Sequence, residues 1–400
     1  MLKRSLLTLL LIACGNQVAI AEDNGTISPA WADYDITPVH PIGYRPSKDS
    51  DEGGLWMISD SYEEATKSSP FLVRDEALNR QVKEIVCRIA GEYCSDIRVY
   101  ILRNAYFNAS MFPNGMMHIW TGLLLRVQNE AQLATVIGHE IAHYLRNHSL
   151  QQWQSTRSQA GAAAWVSLVS AGAGVGFVGD LFTLGVLANI MSYSRSHESE
   201  ADAYGLKLIA DAGYDPRAAS LVWDYIEREN NSAEYQRKGS IFSNSHPSPV
   251  GRKTELTKLA QDLITKENQQ IVDELRYRRM LAEHYPDLLS AEINQQLHGR
   301  SETLLKELEE NDIGPVGIDY FWALFYRTRK NEGDEELAIE HYKKVIDQRR
   351  APPEAYRDLG YMMLKKKDNV TANQYFTSYL EMAPDASDRE MIEFYLHRDQ

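Results

Sequence analysis

The segment TVIGHEIAHYLRNH, residues 135–148, contains the pattern His-Glu-x-x-His. Four residues turn an α-helix through about 400°, so His139 and His143 lie on one face, one turn apart. Two imidazoles at this spacing can bind one zinc ion, and Glu140 beside them can take a proton from a water molecule that the metal activates. The pattern also arises by chance in chains of this length, and a catalytic zinc needs a third protein ligand.

A second charged segment, SRSHESEADAYG at 194–205, offers that third ligand. Glu198 and Asp202 are four residues apart, so they share one face of a predicted helix. The Glu198 carboxylate can complete a site of two histidines and one glutamate, and Asp202 can accept a hydrogen bond from the free ring nitrogen of a ligand histidine. Gly205 continues this face and would let the two helices approach closely. The alternative is a solvated, charged helix without a metal.

The elements predicted around these motifs are helices and a small sheet. Apolar residues recur at helical spacing in 77–91 and 130–148. Alternating residues at 97–102 and 116–122 predict strands, the second after the turn signal Pro113-Asn114-Gly115. Because the C-terminal third is also helical in pattern, the chain is predicted to have an α+β, mostly helical fold.

The C-terminal third repeats itself at an interval of 34 residues. The first copy contains Trp322, Ala338, Tyr342 and Val345, and the second contains Tyr356, Ala372, Phe376 and Tyr379. This period, with a small alanine between large aromatic residues, resembles the tetratricopeptide repeat. The alternative is a plain helical bundle.

The N-terminus has the parts of a secretory signal peptide: a basic start, an apolar run and a small-x-small site that ends at Ala21. Cleavage after Ala21 would deliver the mature chain to the periplasm. Leu11-Ile12-Ala13-Cys14 also resembles a bacterial lipobox, so a chain lipidated at Cys14 is the alternative. In an oxidising compartment Cys87 and Cys94 are predicted to form a disulfide, and otherwise they are two unpaired thiols.

The charge and the hydropathy of the chain limit the classes of molecule that it is expected to bind. The formal net charge is −14 and no Lys/Arg-rich block is present, so the chain would repel the phosphates of nucleic acid. Residues 159–191 contain a single charged residue, Asp180, and many alanines and glycines. We predict two short helices packed against each other there. The alternative is a segment that contacts the membrane or gates the site.

The motifs together resemble a known family. His-Glu-x-x-His followed by Ser-Arg-x-x-Glu-x-x-Ala-Asp, with NASMFPNG at 108–115, resembles the M48 zinc metallopeptidases, the gluzincin group that includes the CAAX prenyl proteases. The resemblance covers residues 71–255. It implies one zinc ion per chain. His139, His143 and Glu198 would be the zinc ligands, and Glu140 would be the general base.

The resemblance also implies roles outside the two helices. Asn108 and Ala109 would lie in an edge strand that pairs with an extended substrate. In the segment NSHPSPVGR, His246 would stabilise the charge on the tetrahedral intermediate, with Arg252 nearby. A second role for His246 stays open, since a histidine on this Ser/Pro-rich loop could occupy the fourth zinc position and exclude water.

The predicted organisation is a signal peptide at 1–21, an extended lead-in at 22–70, an M48-like zinc peptidase domain at 71–260 and a helical repeat domain at 261–400. The signal and the repeats depart from the prenyl-protease branch and are similar to a periplasmic branch of the family. This likeness implies that the substrates are unfolded or misassembled outer-membrane proteins, and that the repeats recruit them or the outer-membrane assembly machinery. The alternatives are a chaperone or adaptor with structural zinc, and a membrane-embedded protease.

Overall fold

The computed structural model describes residues 34–159, 193–232, 242, 245–246, 251–264, 270–311 and 313–397. The predicted signal peptide, Cys14 and all but the first residue of the 159–191 segment lie outside these ranges. Within them, no helix combines the length and the apolar character that crossing a membrane requires.

Three strands and sixteen helices make up the described part of the chain. The strands are β1 (Arg98–Leu102), β2 (Ala109–Met111) and β3 (Met116–Trp120). The helices up to residue 263 are α1 (Asp51–Ser68), α2 (Glu76–Ala90), α3 (Thr121–Arg126), α4 (Glu130–Leu145), α5 (His148–Gln159), α6 (Arg195–Asp211), α7 (Ala218–Asn230) and α8 (Arg252–Leu263). The later helices are α9 (Glu274–Leu281), α10 (Tyr285–Ile293), α11 (His298–Glu310), α12 (Ile318–Arg329), α13 (Asp334–Asp347), α14 (Pro353–Lys365), α15 (Asn369–Met382) and α16 (Arg389–His397). The predicted α+β, mostly helical fold with a small sheet is confirmed.

The sheet places β2 at one edge. Its strand order is β1-β3-β2, with β3 parallel to β1 and antiparallel to β2. The Trp120 N–H donates to the Asn108 carbonyl at 3.1 Å, and the Phe112 N–H donates to the Met116 carbonyl at 2.8 Å. Since alternate residues of an antiparallel strand bond to the neighbouring strand, the backbone groups of Ala109 and Met111 point away from β3.

Two glycines set the separation of α4 and α6. A Cβ atom on Gly205 would lie 2.7 Å from the His139 backbone nitrogen, and one on Gly138 would lie 2.9 Å from the Gly205 carbonyl oxygen. These distances are too short for any side chain, so the two backbones touch at this crossing. The close approach predicted for Gly205 is confirmed.

The prediction of an extended lead-in at 22–70 is wrong for residues 51–68, which form α1. Ser50 caps this helix by accepting a hydrogen bond from the Gly53 N–H at 3.0 Å. Its inward face carries the buried carboxylates of Glu52 and Glu63, which are satisfied by hydrogen bonds from other elements. Because acidic residues occupy buried positions of α1, its sequence lacks the apolar residues at helical spacing from which a helix is predicted.

The two large hydrophobic cores of the described residues follow one another along the chain. The first includes buried residues from Val73 to Phe325, so α9–α12 share it with the sheet and with α4. The second runs from Ala323 to Ile392. In it, α12 packs on α13 and α14 packs on α15, and the alanines 34 residues apart, Ala338 and Ala372, are both fully buried. The C-terminal region is therefore helical, with consecutive helix pairs consistent with repeats.

The predicted disulfide is present. Cys87, in the last turn of α2, is joined to Cys94 in the 3₁₀ turn Gly91–Asp96 that follows. The bond links α2 to the turn that leads into β1.

Candidate metal centre

The side chains of His139, His143 and Glu198 converge where α4 and α6 cross, and all three are buried. The Nε2 atoms of the two histidines are 3.0 Å apart. Glu198 Oε1 lies 3.3 Å from His143 Nε2, and Glu198 Oε2 lies 3.5 Å from His139 Nε2. With one nitrogen of His246, these potential ligand atoms all lie within 4.8 Å of one another.

This donor set fits a zinc ion. Two imidazole nitrogens and a carboxylate are the ligands that Zn²⁺ prefers at a catalytic site. Glu198 Oε2 is buried and makes no hydrogen bond among the described residues, and the nearest cationic group is the Arg252 guanidinium at 3.2 Å. His139, His143 and Glu198 would hold the metal. Zinc in such a site acts as a Lewis acid and lowers the pKa of a bound water molecule towards neutrality.

Asp202 and Arg252 surround the outer side of His139. Asp202 Oδ1 lies 3.0 Å from His139 Nδ1, which leaves Nε2 directed at the other ligands. Burial by itself lowers the pKa of His139, but the hydrogen bonds to Asp202 and Glu198 outweigh it and raise that pKa to about 9.

The Arg252 guanidinium bridges the acidic residues of α6. Its Nη2 donates to Asp202 Oδ1 at 2.6 Å, and its Nη1 lies 3.2 Å from Glu198 Oε2. The guanidinium also lies 3.5 Å from the centre of the Trp223 ring. The structure therefore places Arg252 behind the ligands Glu198 and His139, where it holds two carboxylates in place.

Glu140 lies between the ligand cluster and the edge strand. Its carboxylate is buried, and the backbone N–H of Met111 in β2 favours the charged form of Glu140, which by itself lowers the pKa of this carboxyl. Burial raises the pKa of the Glu140 carboxyl above its ordinary value, against the opposing charges of His246 and His139. Because the Met111 N–H points away from β3, the outer edge of β2 faces this glutamate.

His246 reaches into the cluster. Its Nδ1 lies 3.1 Å from Glu198 Oε1 and 3.3 Å from His139 Nε2, and its Nε2 lies 3.4 Å from Glu140 Oε1. The ring stacks on Phe242 and is buried. The imidazole thus stands between the ligands from α4 and α6 and the Glu140 carboxylate.

Sequence reasoning missed His148, which supports the second ligand histidine. His148 Nδ1 lies 2.9 Å from His143 Nδ1, and His148 Nε2 lies 3.3 Å from Glu200 Oε2. Burial lowers the pKa of His148 to about 3, so it is neutral at pH 7. If His143 Nδ1–H donates to His148, then His148 Nε2–H is left to donate to Glu200. One set of tautomers therefore satisfies the hydrogen bonds from His143 through His148 to Glu200 and leaves His143 Nε2 free for a metal.

The sequence only weakly indicates this role because the spacing of His148 from His139 does not match the helical period. Asn147 has φ of +53°, a left-handed conformation that ends α4 and turns His148 back towards His143. Tyr193 was also missed. Its ring stacks on that of His143 at a centroid distance of 3.9 Å.

Replacing His148 should weaken metal binding. We expect His148→Leu to lower zinc affinity by roughly 10- to 100-fold, since the partner that orients His143 is lost. Competition with a chromogenic chelator measures this. The control is His341→Leu, which removes a histidine paired with Asp319 in the C-terminal region. Equal zinc affinities for the wild type and the His148 variant would show that His148 does not orient the ligand.

Comparison with known proteins agrees with this geometry. Residues 73–260 match peptidase family M48. The beta-barrel assembly-enhancing protease of Escherichia coli is 25% identical over 237 residues, which are 57% of this chain and 48% of that protein. The mitochondrial metalloendopeptidase OMA1 of Schizosaccharomyces pombe is 31% identical over 180 residues, 44% of this chain and 50% of that protein.

The human metalloendopeptidase OMA1 is 28% identical over 218 residues, 47% of this chain and 38% of that protein. The chain thus spans about half, or less, of the length of each of these relatives. The family match includes both helices that carry the ligand cluster and the edge strand beside it. Residues 73–260 therefore match peptidase family M48, and the side-chain cluster within them fits a zinc site.

Proposed function

We propose that this chain is a zinc-dependent endopeptidase that cleaves polypeptides bound in extended form along β2. The proposal is supported by the position of Glu140. Its Oε1 lies 3.4 Å from His246 Nε2 beside the ligand cluster, and the backbone N–H of Met111 on the outer edge of β2 favours its charged form. A polypeptide that pairs with this edge would run past Glu140 and the ligand cluster.

Backbone pairing would give the substrate its orientation. Ala109 and Met111 direct their backbone groups away from β3, so they can bond to a further strand. The Asn108 side-chain oxygen is buried and has no hydrogen-bond partner among the described residues, which makes it an additional acceptor for a substrate N–H. Main-chain bonds of this kind do not depend on substrate side chains, which suits an enzyme that acts on many unfolded chains.

The chain's own residues then supply proton transfer and orientation. Glu140 takes a proton from the water molecule whose oxygen attacks the peptide carbonyl carbon. It returns the proton to the leaving nitrogen as the C–N bond breaks. Burial raises the pKa of Glu140, which brings it closer to the working range of a base that must also act as an acid. Asp202 and Arg252 hold His139 and Glu198 in position throughout.

Removing the base should abolish cleavage without removing the metal. We expect Glu140→Gln to lower the rate of casein cleavage by at least about 100-fold, because the amide cannot accept a proton. The assay compares the purified, zinc-loaded variant with the wild type, and metal analysis of both proteins is the control. Equal cleavage by the two proteins would contradict the assignment of Glu140. Cleavage by neither would leave a latched enzyme or the alternative, a chaperone or adaptor with structural zinc, and His246→Ala in the same assay would separate these two.

We propose further that His246 holds the protease in a latent state. Its Nδ1 belongs to the cluster of potential ligand atoms, and the ring lies beside Glu140, where the attacking water must reach. A histidine ligand in the fourth position would exclude that water. The other role, stabilisation of the tetrahedral intermediate, requires the same ring to move off the cluster when substrate binds.

The two roles predict opposite results for one variant. If His246 is a latch, His246→Ala should raise the rate of casein cleavage several-fold, because water gains access to the metal position. Rates are measured per zinc-loaded molecule so that altered metal content does not obscure them. A fall in rate would contradict the latch and leave His246 as a stabiliser of the intermediate, where loss of one such donor costs about 100-fold or more.

We propose that the enzyme works in the periplasm on misfolded or misassembled envelope proteins. One relative is named a beta-barrel assembly-enhancing protease, and the disulfide between Cys87 and Cys94 suits an oxidising compartment. The helix pairs from α12 to α15 would recruit clients or the outer-membrane assembly machinery. The mitochondrial relatives belong to another branch, so the client class is tested by incubating the purified protein with unfolded and folded outer-membrane β-barrels. Preferential cleavage of the unfolded form is expected.

A further inference from the structure

Four buried charged residues form one cluster between the peptidase domain and the helices that follow it. Arg126 ends α3 and Glu229 lies in α7, whereas Glu292 lies in α10 and Arg300 in α11. The Arg126 and Arg300 side chains are 0% exposed. Arg126 Nη2 donates to Glu292 Oε2 at 2.9 Å, and Arg126 Nε donates to Glu229 Oε2 at 2.9 Å. Arg300 Nε donates to Glu292 Oε1 at 2.7 Å.

The cluster also binds the loop at 103–108 that leads into β2. Arg126 Nη1 donates to the Ala105 carbonyl at 3.0 Å. The Arg300 guanidinium lies 4.5 Å from the centre of the Tyr106 ring, within the range of a cation–π contact. Two arginines that are paired with the same glutamate therefore hold consecutive residues of one loop.

Short contacts fix the rest of the loop. The Gly122 N–H donates to the Asn104 carbonyl at 2.7 Å. A Cβ atom on Gly122 would lie 2.3 Å from the carbonyl oxygens of both Ala105 and Tyr106. The loop backbone thus lies directly on the start of α3, and Arg126 at the end of the same helix bonds to it.

The far side of the loop faces the candidate metal centre. Phe107 contacts Phe242 edge-on at a centroid distance of 5.1 Å, and Phe242 stacks on His246. The next residue, Asn108, begins the stretch in which an extended substrate is proposed to bind. Any shift of the loop would therefore move the substrate edge relative to Glu140.

We propose that α10 and α11 position the substrate edge through this cluster, with Arg300 and Tyr106 as positioning residues for an extended polypeptide. The inference rests on the proposed function of β2. Desolvation offsets most of the attraction within a buried ion cluster, whereas its directed bonds fix orientation. The helices after residue 260 are thus a structural part of the peptidase site as well as a region that can recruit partners. This agrees with the single core that extends from Val73 to Phe325.

The test uses Tyr106→Leu in the full, zinc-loaded chain, because this change removes the ring from Arg300 without leaving a buried charge unpaired. Kinetics are measured with a casein-derived peptide long enough to span β2. We expect KM to rise about 10-fold with kcat little changed, since the loop is displaced while the base and ligands stay in place. The conservative variant Tyr106→Phe keeps the ring and should restore the wild-type KM.

The matched control is Tyr326→Leu. Tyr326 also lies beside an arginine guanidinium, Arg329 at 5.1 Å, but in α12, where its ring stacks on Trp322 and His341. It reports the effect of losing such a contact in the helical region alone. Zinc content is measured for every variant and should be unchanged.

Hydrogen exchange supplies a readout that needs no proteolysis. We expect the amides of residues 105–111 to exchange about 10-fold faster in Tyr106→Leu than in the wild type, and not in Tyr326→Leu. Unchanged exchange in Tyr106→Leu would overturn the proposal even if the wild type cleaves peptides. Faster exchange with an unchanged KM would also overturn it, because the loop would then move without affecting substrate. If neither the wild type nor His246→Ala cleaves the peptide, the proposed function fails, and exchange alone decides whether the cluster holds the loop.

Discussion

The close crossing of α4 and α6 is the constraint on which the site depends. Gly138 and Gly205 let the two backbones touch, and this contact brings Glu198 to the two histidines of the other helix. The candidate ligands are therefore held by helices within a core, and a side chain at either glycine would separate them. Helix α4 also carries Glu140, so the two candidate histidine ligands and the candidate base belong to one helix.

Many polar groups of the site are buried, so their hydrogen-bond and ion-pair partners contribute to its geometry as much as the candidate ligands do. Asp202 and Arg252 fix His139 from one side, and His148 with Glu200 fixes His143 from the other. Each of these groups would be costly to bury alone, and together they leave one nitrogen of each histidine directed at the metal position. Residues outside the His-Glu-x-x-His motif therefore orient the two histidines of that motif.

Sequence reasoning reached the parts of the structure that depend on local spacing. Helical period placed His139, His143 and Glu198 on the right faces, and the family resemblance supplied the edge strand at Ala109. It failed where tertiary contacts override local pattern. Helix α1 carries buried glutamates whose partners lie elsewhere in the chain, and His148 is brought to His143 by the left-handed turn at Asn147. The cluster of Arg126 and Arg300 joins residues that are far apart in sequence, which no spacing rule connects.

We propose that an extended polypeptide binds along β2 with its carbonyl beside Glu140 and with one zinc ion between α4 and α6. The most direct test is a crystal structure of zinc-loaded Glu140→Gln with a casein-derived peptide, with anomalous diffraction at the zinc edge. We expect one zinc peak bonded to His139, His143 and Glu198, and peptide main-chain bonds to Ala109 and Met111. A zinc ion elsewhere, or a peptide that binds away from β2, would contradict it.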